Sequence, residues 1–336
     1  METIFENGVV PQHITEDEAA LYDRQIRLWG LEAQQRMRNA TICVMNLRGV
    51  ATEVIKNIVL AGIGKVVILD PEDIQEEDLG AGFFFRESDV GLKRVDAAKS
   101  RIEILNPLVT VESVTSQKPL DWWDTLVQSV DIFCLTDGSQ NDIVRINDLC
   151  RKHKKPFYAG GSYGLTGYIF CDLLDHEYIA PDRSPNVGQT KTIKHRVTYP
   201  SFSEALKHDW QSLTKKQAKH QNAELVFSIF ALWKYQTSHH ELPSEDTVTE
   251  VAAISKSFIQ SMGVKAHVMQ SVPSHQLGVL VSTAMHEFSP VCAVLGGLMG
   301  QDMLKALGGR DPPIANFFVF DGQTGSGAVS RLNMPV

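Results

Sequence analysis

Residues 41–70 read TICVMNLRGVATEVIKNIVLAGIGKVVILD. Two apolar runs, 40–46 and Lys65 to Asp70, flank a segment in which Val50, Val54, Ile58 and Ala61 share one helical stripe. Gly62 and Gly64 end that helix. The spacing predicts strand, helix, strand, long enough for a right-handed crossover between parallel strands. A nucleotide-binding turn on this frame reads G-x-G-x-x-G. One glycine makes the tight turn, one lets backbone approach phosphate, and one lets the helix pack on the strand. Asn46, Arg48 and Ala51 stand in those places, and only Gly49 remains. Arg48 would fill the space where phosphate meets bare backbone, whereas Ala51 still permits helix packing. Asp70 retains the acid that a ribose would use. The frame is Rossmann-like, and its contents argue against ordinary nucleotide binding. A stand-alone NAD or ATP enzyme with an unusual turn is the rival reading.

The alternation continues outward. Helices are expected from Gly91 to Leu105 and over NDIVRINDLCRKH, with strands at VTVESV, VDIFCLTD and PFYAG. The fold class is therefore α/β, a Rossmann-like doubly wound, mostly parallel sheet with a smaller inserted helical lobe. Upstream, residues 14–38 form a helical entry opened by a Thr15–Glu18 capping box and interrupted at Gly30. After Gly160, YGLTGYIFCDLL reads as antiparallel strands broken by glycine. Residues 180–196 read as a polar mobile loop, with Lys191, Lys194, His195 and Arg196 as a solvated patch. Residues 203–262 are mostly helical. SPVCAVLGGLMGQDMLKALGG is a long buried helix, and NFFVFD is the final strand. The expected organisation is 1–175, N-terminal helices and Rossmann-like domain; 176–265, loop and inserted helical lobe; and 266–336, a return to the first domain.

With 336 residues, 43% hydrophobic, the chain can bury a sizeable core. Its formal charge of -8 argues against general nucleic-acid binding. The sequence has no run of about 18 apolar residues, so no membrane span is expected. The acidic opening METIFENGVVPQHITEDEAA carries no apolar signal core. The five cysteines, Cys43, Cys134, Cys150, Cys171 and Cys292, form no CxxC pair and no zinc-ligand spacing. Only Cys150, ending a helix before RKHKK, has cations nearby that would favour thiolate.

Tyr22 to Val44, YDRQIRLWGLEAQQRMRNATICV, is more specific than the turn. It resembles the opening of the ubiquitin-activating (ThiF-type) enzyme superfamily. KNIVLAGIGKVVILD, NPLVTVESV, FSPVCAVLGGLMGQDMLKAL and NFFVFDG resemble the same superfamily in order, across nearly the whole chain. Within it, the length resembles the smaller, inactive halves of the SUMO-activating branch. The NEDD8 counterparts are longer and remain the alternative.

The resemblance implies a division of labour. An active half holds ATP and Mg, adenylates the modifier and takes it as a thioester; an inactive half completes the unit. This chain then binds no cofactor or metal of its own and carries no thioester cysteine. Its partners are the catalytic subunit and, through the complex, SUMO. The active half's NLNRQF corresponds to DLGAGF, so Asp78, Gly80 and Ala81 replace polar nucleotide contacts. The expected lysine aligns with Arg94. The resemblance sets Asp137 beside a metal-binding Asp, at a spacing that leaves the match open. The first Arg of RQIRLWG, Arg24, is implied to reach the partner's ATP phosphates in trans. Arg27 has no assigned part, and Trp29 is expected to be a packing anchor. The resemblance also implies nuclear residence, with cytoplasmic presence compatible.

Overall fold

The computed structural model describes residues 13–116, 120–181 and 192–335. Three short helices open it: α1 (Glu16–Leu21), α2 (Asp23–Trp29) and α3 (Leu31–Asn39). The Thr15–Glu18 capping box is formed, and Gly30, at φ 87°, separates α2 from α3. The crossover unit follows as β1 (Thr41–Met45), α4 (Gly49–Leu60) and β2 (Lys65–Leu69), then α5 (Arg94–Leu105) and β3 (Thr110–Val114). Next come α6 (Leu120–Ser129), β4 (Ile132–Thr136), α7 (Gln140–Lys152), β5 (Phe157–Tyr163) and β6 (Thr166–Asp172). The sequence reading assigned no element to α6, although a parallel β3–β4 crossover requires one.

The loop expected over 180–196 is in part a ribbon. β7 (Asp175–Pro181) pairs antiparallel with β8 (Thr192–Thr198). Lys194 and Arg196 lie on β8, paired across the ribbon with Glu177 and Asp175. These cross-strand ion pairs and the β-branched Thr192, Ile193, Val197 and Thr198 explain why a polar stretch forms strand. Lys191 lies outside the described residues. α8 (Phe202–Ala205), α9 (Lys215–His220), α10 (Ala223–His239), α11 (Val248–Ser261) and α12 (Ser274–Thr283) follow, then α13 (Ser289–Gly308). NFFVFD yields β9 (Phe317–Asp321), but it is not the last strand: the chain turns and adds β10 (Ser326–Ser330).

Eight strands form one sheet in the order β10-β9-β6-β5-β4-β1-β2-β3. β3, β2, β1, β4 and β5 are parallel; β6, β9 and β10 extend the sheet antiparallel beyond β5. Both faces are covered, which is why β1, β2 and β4 read as continuous apolar runs. Ile42, Val44, Val66 and Ile68 enter the core shared with α3, α4, α5 and α13. Cys43, Val67, Phe133 and Leu135 enter the other, with α6, α7 and α10. Helices α8 to α12 join this second core: Trp233 of α10 donates from Nε1 to Tyr163 Oη at 2.7 Å and meets Tyr168 edge-on.

The first core depends on close approach of α13 to α4. A Cβ at Gly296 would lie 2.3 Å from Glu53 Cβ and 2.9 Å from Val50 O, whereas one at Gly297 would meet nothing within 4 Å. Gly296→Ala should therefore destabilise the chain by roughly 1–3 kcal/mol through overpacking. Gly297→Ala should stabilise the same helix by up to about 1 kcal/mol. Thermal melts of the two isolated variants check the pair; equal melting temperatures would contradict the packing argument.

Candidate functional site

The turn between β1 and α4 keeps its shape without its glycines. Asn46 adopts φ 67°, the left-handed region that asparagine tolerates. Its Nδ2 donates to Thr136 O at 2.8 Å, tying the turn to the end of β4. The first lost glycine is therefore replaced in function by asparagine, and Ala51 packs fully buried.

Asp70 is present but turned inward. It is 1% exposed. Its Oδ2 accepts from Leu47 N at 2.6 Å and lies 3.3 Å from Arg94 Nη1, while Oδ1 accepts from Glu72 N at 2.8 Å. Arg94 also grips Asp78 with a fork, Nε to Oδ2 at 2.9 Å and Nη2 to Oδ1 at 3.1 Å. The acid a ribose would use is thus occupied by the protein's own donors.

The amide that would meet phosphate is occupied as well. Gly49 N, at the start of α4, donates to Glu287 Oε1 at 2.9 Å. Glu287 comes from the loop before α13, and its side chain is 5% exposed. A helix N-terminus attracts an anion through its unpaired amides and its dipole. Here the chain's own carboxyl group takes that place. Ala81 and Cys292 close over the same spot: a Cβ on Gly49 would lie 2.9 Å from both Ala81 Cβ and Cys292 Sγ. Gly80 faces open space.

Arg48 lies over this plug, its Nε 3.8 Å from both Asp78 Oδ1 and Glu287 Oε2. Burial works against its charge, but Asp137, Glu287 and Asp78 together raise its pKa. Asp137, at φ 49°, accepts from Ser162 N at 3.2 Å. Burial pushes its carboxyl up. Burial, with Asp137 nearby, pushes Glu287 up to about 7. Four carboxylates (Asp70, Asp78, Asp137, Glu287) therefore face two guanidiniums (Arg48, Arg94). That balance and the filled amide do not fit a triphosphate. Among the described residues no group of three or more His, Cys, Asp or Glu is placed to hold a metal. No helix there is long and apolar enough to cross a membrane.

Arg24 lies elsewhere. It is exposed on α2 and has no hydrogen-bond or ion-pair partner among the described residues. Arg27, three residues on, is held by Asp23 at 3.0 Å. Trp29 is anchored, its Nε1 donating to Gln34 Oε1 at 2.9 Å. Gln25, next to Arg24, donates to Leu60 O, at the C-terminal end of α4. Gly49 is at the other end, about 18 Å away for a helix of this length. Arg24 therefore cannot serve the turn of its own chain.

All five cysteines are buried and free. Burial raises each thiol, Cys292 to about 12. This corrects the expectation for Cys150: burial and Asp172 outweigh Lys155, so the RKHKK cations do not make it a thiolate. Sequence reasoning missed Glu287 altogether. HEFSP before a long helix carries no local sign that its acid reaches residue 49.

Glu287 sets a pH dependence. Its folded pKa of about 7 exceeds its ordinary value of 4.5. The folded state therefore holds this proton more tightly, and stability falls as pH rises between those values. Glu287→Gln should raise stability at pH 8 by about 1–3 kcal/mol and leave it nearly unchanged at pH 4. Chemical denaturation at the two pH values checks this; an equal effect at both would refute it.

The fold and this geometry can be set beside known proteins. The ThiF family model matches residues 22–335. SUMO-activating enzyme subunit 1 of Homo sapiens is 35% identical over 344 aligned positions, covering 95% of this chain and 96% of the human one. That of Xenopus laevis is 35% identical, covering 95% and 97%, and that of Danio rerio 34%, covering 94% and 95%. A crystal structure of PaaA superposes with TM-score 0.58 at 16% identity, over 99% of this chain and 79% of that one. Escherichia coli MccB with succinimide gives 0.55 at 14%, over 93% and 71%. At such identities the superpositions speak for the fold alone. The chain belongs to the ThiF family and is a homologue of SUMO-activating enzyme subunit 1 over nearly its whole length.

Proposed function

We propose that this chain is the non-catalytic subunit of a heterodimeric SUMO-activating enzyme. Its catalytic partner binds ATP and Mg, adenylates SUMO and holds the thioester cysteine. One observation carries the reading: Arg24, which has no hydrogen-bond or ion-pair partner among the described residues, stands a helix length from its own turn, and that turn is filled by Glu287. A phosphate-directed arginine with no phosphate site within reach is suited to act on another chain. The likeness to SUMO-activating enzyme subunit 1 supports SUMO over NEDD8 as the modifier, and nuclear residence with it.

In this role Arg24 brings a permanent charge and a planar fork to the triphosphate oxygens. Bond formation between the modifier carboxylate and the α-phosphorus releases pyrophosphate. A guanidinium held beside the departing oxygens stabilises the charge that builds there. Supplying it from a second subunit makes adenylation depend on assembly. Asn46, Arg48, Ala51, Gly80, Ala81 and the inward Asp70 then serve the fold and contact no nucleotide.

Arg24→Ala should leave assembly with the catalytic subunit intact and slow ATP–pyrophosphate exchange on the order of a hundredfold. Exchange at the normal rate would overturn the trans role. Calorimetry of the isolated chain with ATP and with NAD should show no binding. Arg48→Gly should not restore it, because Glu287 still occupies Gly49 N and a positive charge has been removed. Tight binding by the isolated chain would favour the stand-alone enzyme.

A further inference from the structure

One turn beyond Arg24 on α2, Leu28 overhangs a cavity of about 230 Å³. Trp29, Met37 and Leu304 complete its apolar wall, and Gln301 and Arg310 stand among its polar residues. Its floor is firm. Met37 is 1% exposed, Trp29 is tied to the fully buried Gln34, and Arg36 Nη2 donates to Gly308 O, locking α3 to the end of α13. Small-molecule sites run to roughly 300–1,000 Å³, so this cavity is nearer the size of one large side chain.

Two features show what would fill it. Leu28 is 79% exposed, a costly position for leucine in water. Val294, Leu298 and Gln301 form an exposed row on α13, spaced i, i+4, i+7, that ends at the cavity. Exposed apolar side chains leading to such a cavity mark a protein contact.

We propose that this cavity receives a large apolar side chain of the catalytic partner, and so fixes α2 with Arg24 directed into the partner. The inference rests on the functional reading above and adds its point of attachment. Leu28 and Arg24 are four residues apart and share one face of α2. Closing the partner over Leu28 therefore orients Arg24 through a single short helix. An apolar anchor in a firm pocket with a polar rim is the arrangement that dominates binding energy at protein interfaces.

The test is assembly of the full-length chain with the catalytic subunit, measured by calorimetry. Leu28→Asp should weaken it by roughly tenfold or more. Gln301→Trp, which roofs the cavity from an exposed position, should do the same. Leu31→Asp, on α3 and outside the lining, should stay within about twofold. Leu28 and Leu31 are both exposed, so thermal melts of each variant should match the wild type. Wild-type affinity of Leu28→Asp, or equal losses for Leu28→Asp and Leu31→Asp, overturns the inference alone. Self-association of the isolated chain that is lost in Leu28→Asp, with partner affinity unchanged, assigns the cavity to a second copy and also overturns it. A wild-type chain that never assembles with the catalytic subunit overturns the functional reading, and this inference with it.

Discussion

The carboxylate of Glu287 on the amide of Gly49 joins positions 238 residues apart. Every helix N-terminus leaves unpaired amides, and something must satisfy them. In a phosphate-binding turn the ligand does so. In this chain an internal carboxylate does, and the rest of the region follows from it. Ala81 and Cys292 crowd Gly49, Arg48 is held over the plug by charge, and α13 lies tight enough on α4 to deliver Glu287. That tightness rests on Gly296 and Gly300, where α13 meets α4 almost backbone to side-chain stem.

The remaining charges form a buried lattice of Arg94 with Asp70 and Asp78. Removing such charges from water is costly, and their mutual attraction only partly offsets it. The lattice is better understood as a device of shape. It fixes the turn after β2 and the short helical stretch at Asp78 against the start of α5. A Rossmann-like frame is thereby kept rigid without a nucleotide to organise it. The opposite end of α4 carries the short helices α1 to α3, where exposed leucines gather with Arg24, which has no partner among the described residues. One helix thus separates a closed internal site from an open external face.

Much of this was legible in the residues themselves. The strand–helix–strand frame over 41–70, the capping box at Thr15 and the break at Gly30 all follow from local periodicity and local hydrogen bonding. The apolar runs at 41–45 and 132–136 implied a sheet covered on both faces, and it is. The polar 180–196 stretch misled, because β8 is exposed along nearly its whole length and has no apolar alternation to betray it. β10, SGAVS, was invisible for a similar reason: an edge strand of small residues is held by its pairing to β9 more than by burial. The loss of glycines at Asn46, Arg48 and Ala51 was plain, yet its meaning was not, since Asn46 keeps the turn that the first glycine would have made.

The sequence alone determined the α/β class and the Rossmann-like frame, because these depend on periods of two and 3.6 residues; Arg24 was singled out by resemblance. Only the tertiary structure decided that Asp70 is spent on Leu47 and Arg94, that Glu287 takes the anion position, and that Arg24 stands at the far end of α4 from its own turn. Each of these depends on where a distant segment returns. No local spacing encodes the meeting of residue 49 with residue 287; the packing of α13 along α4 does.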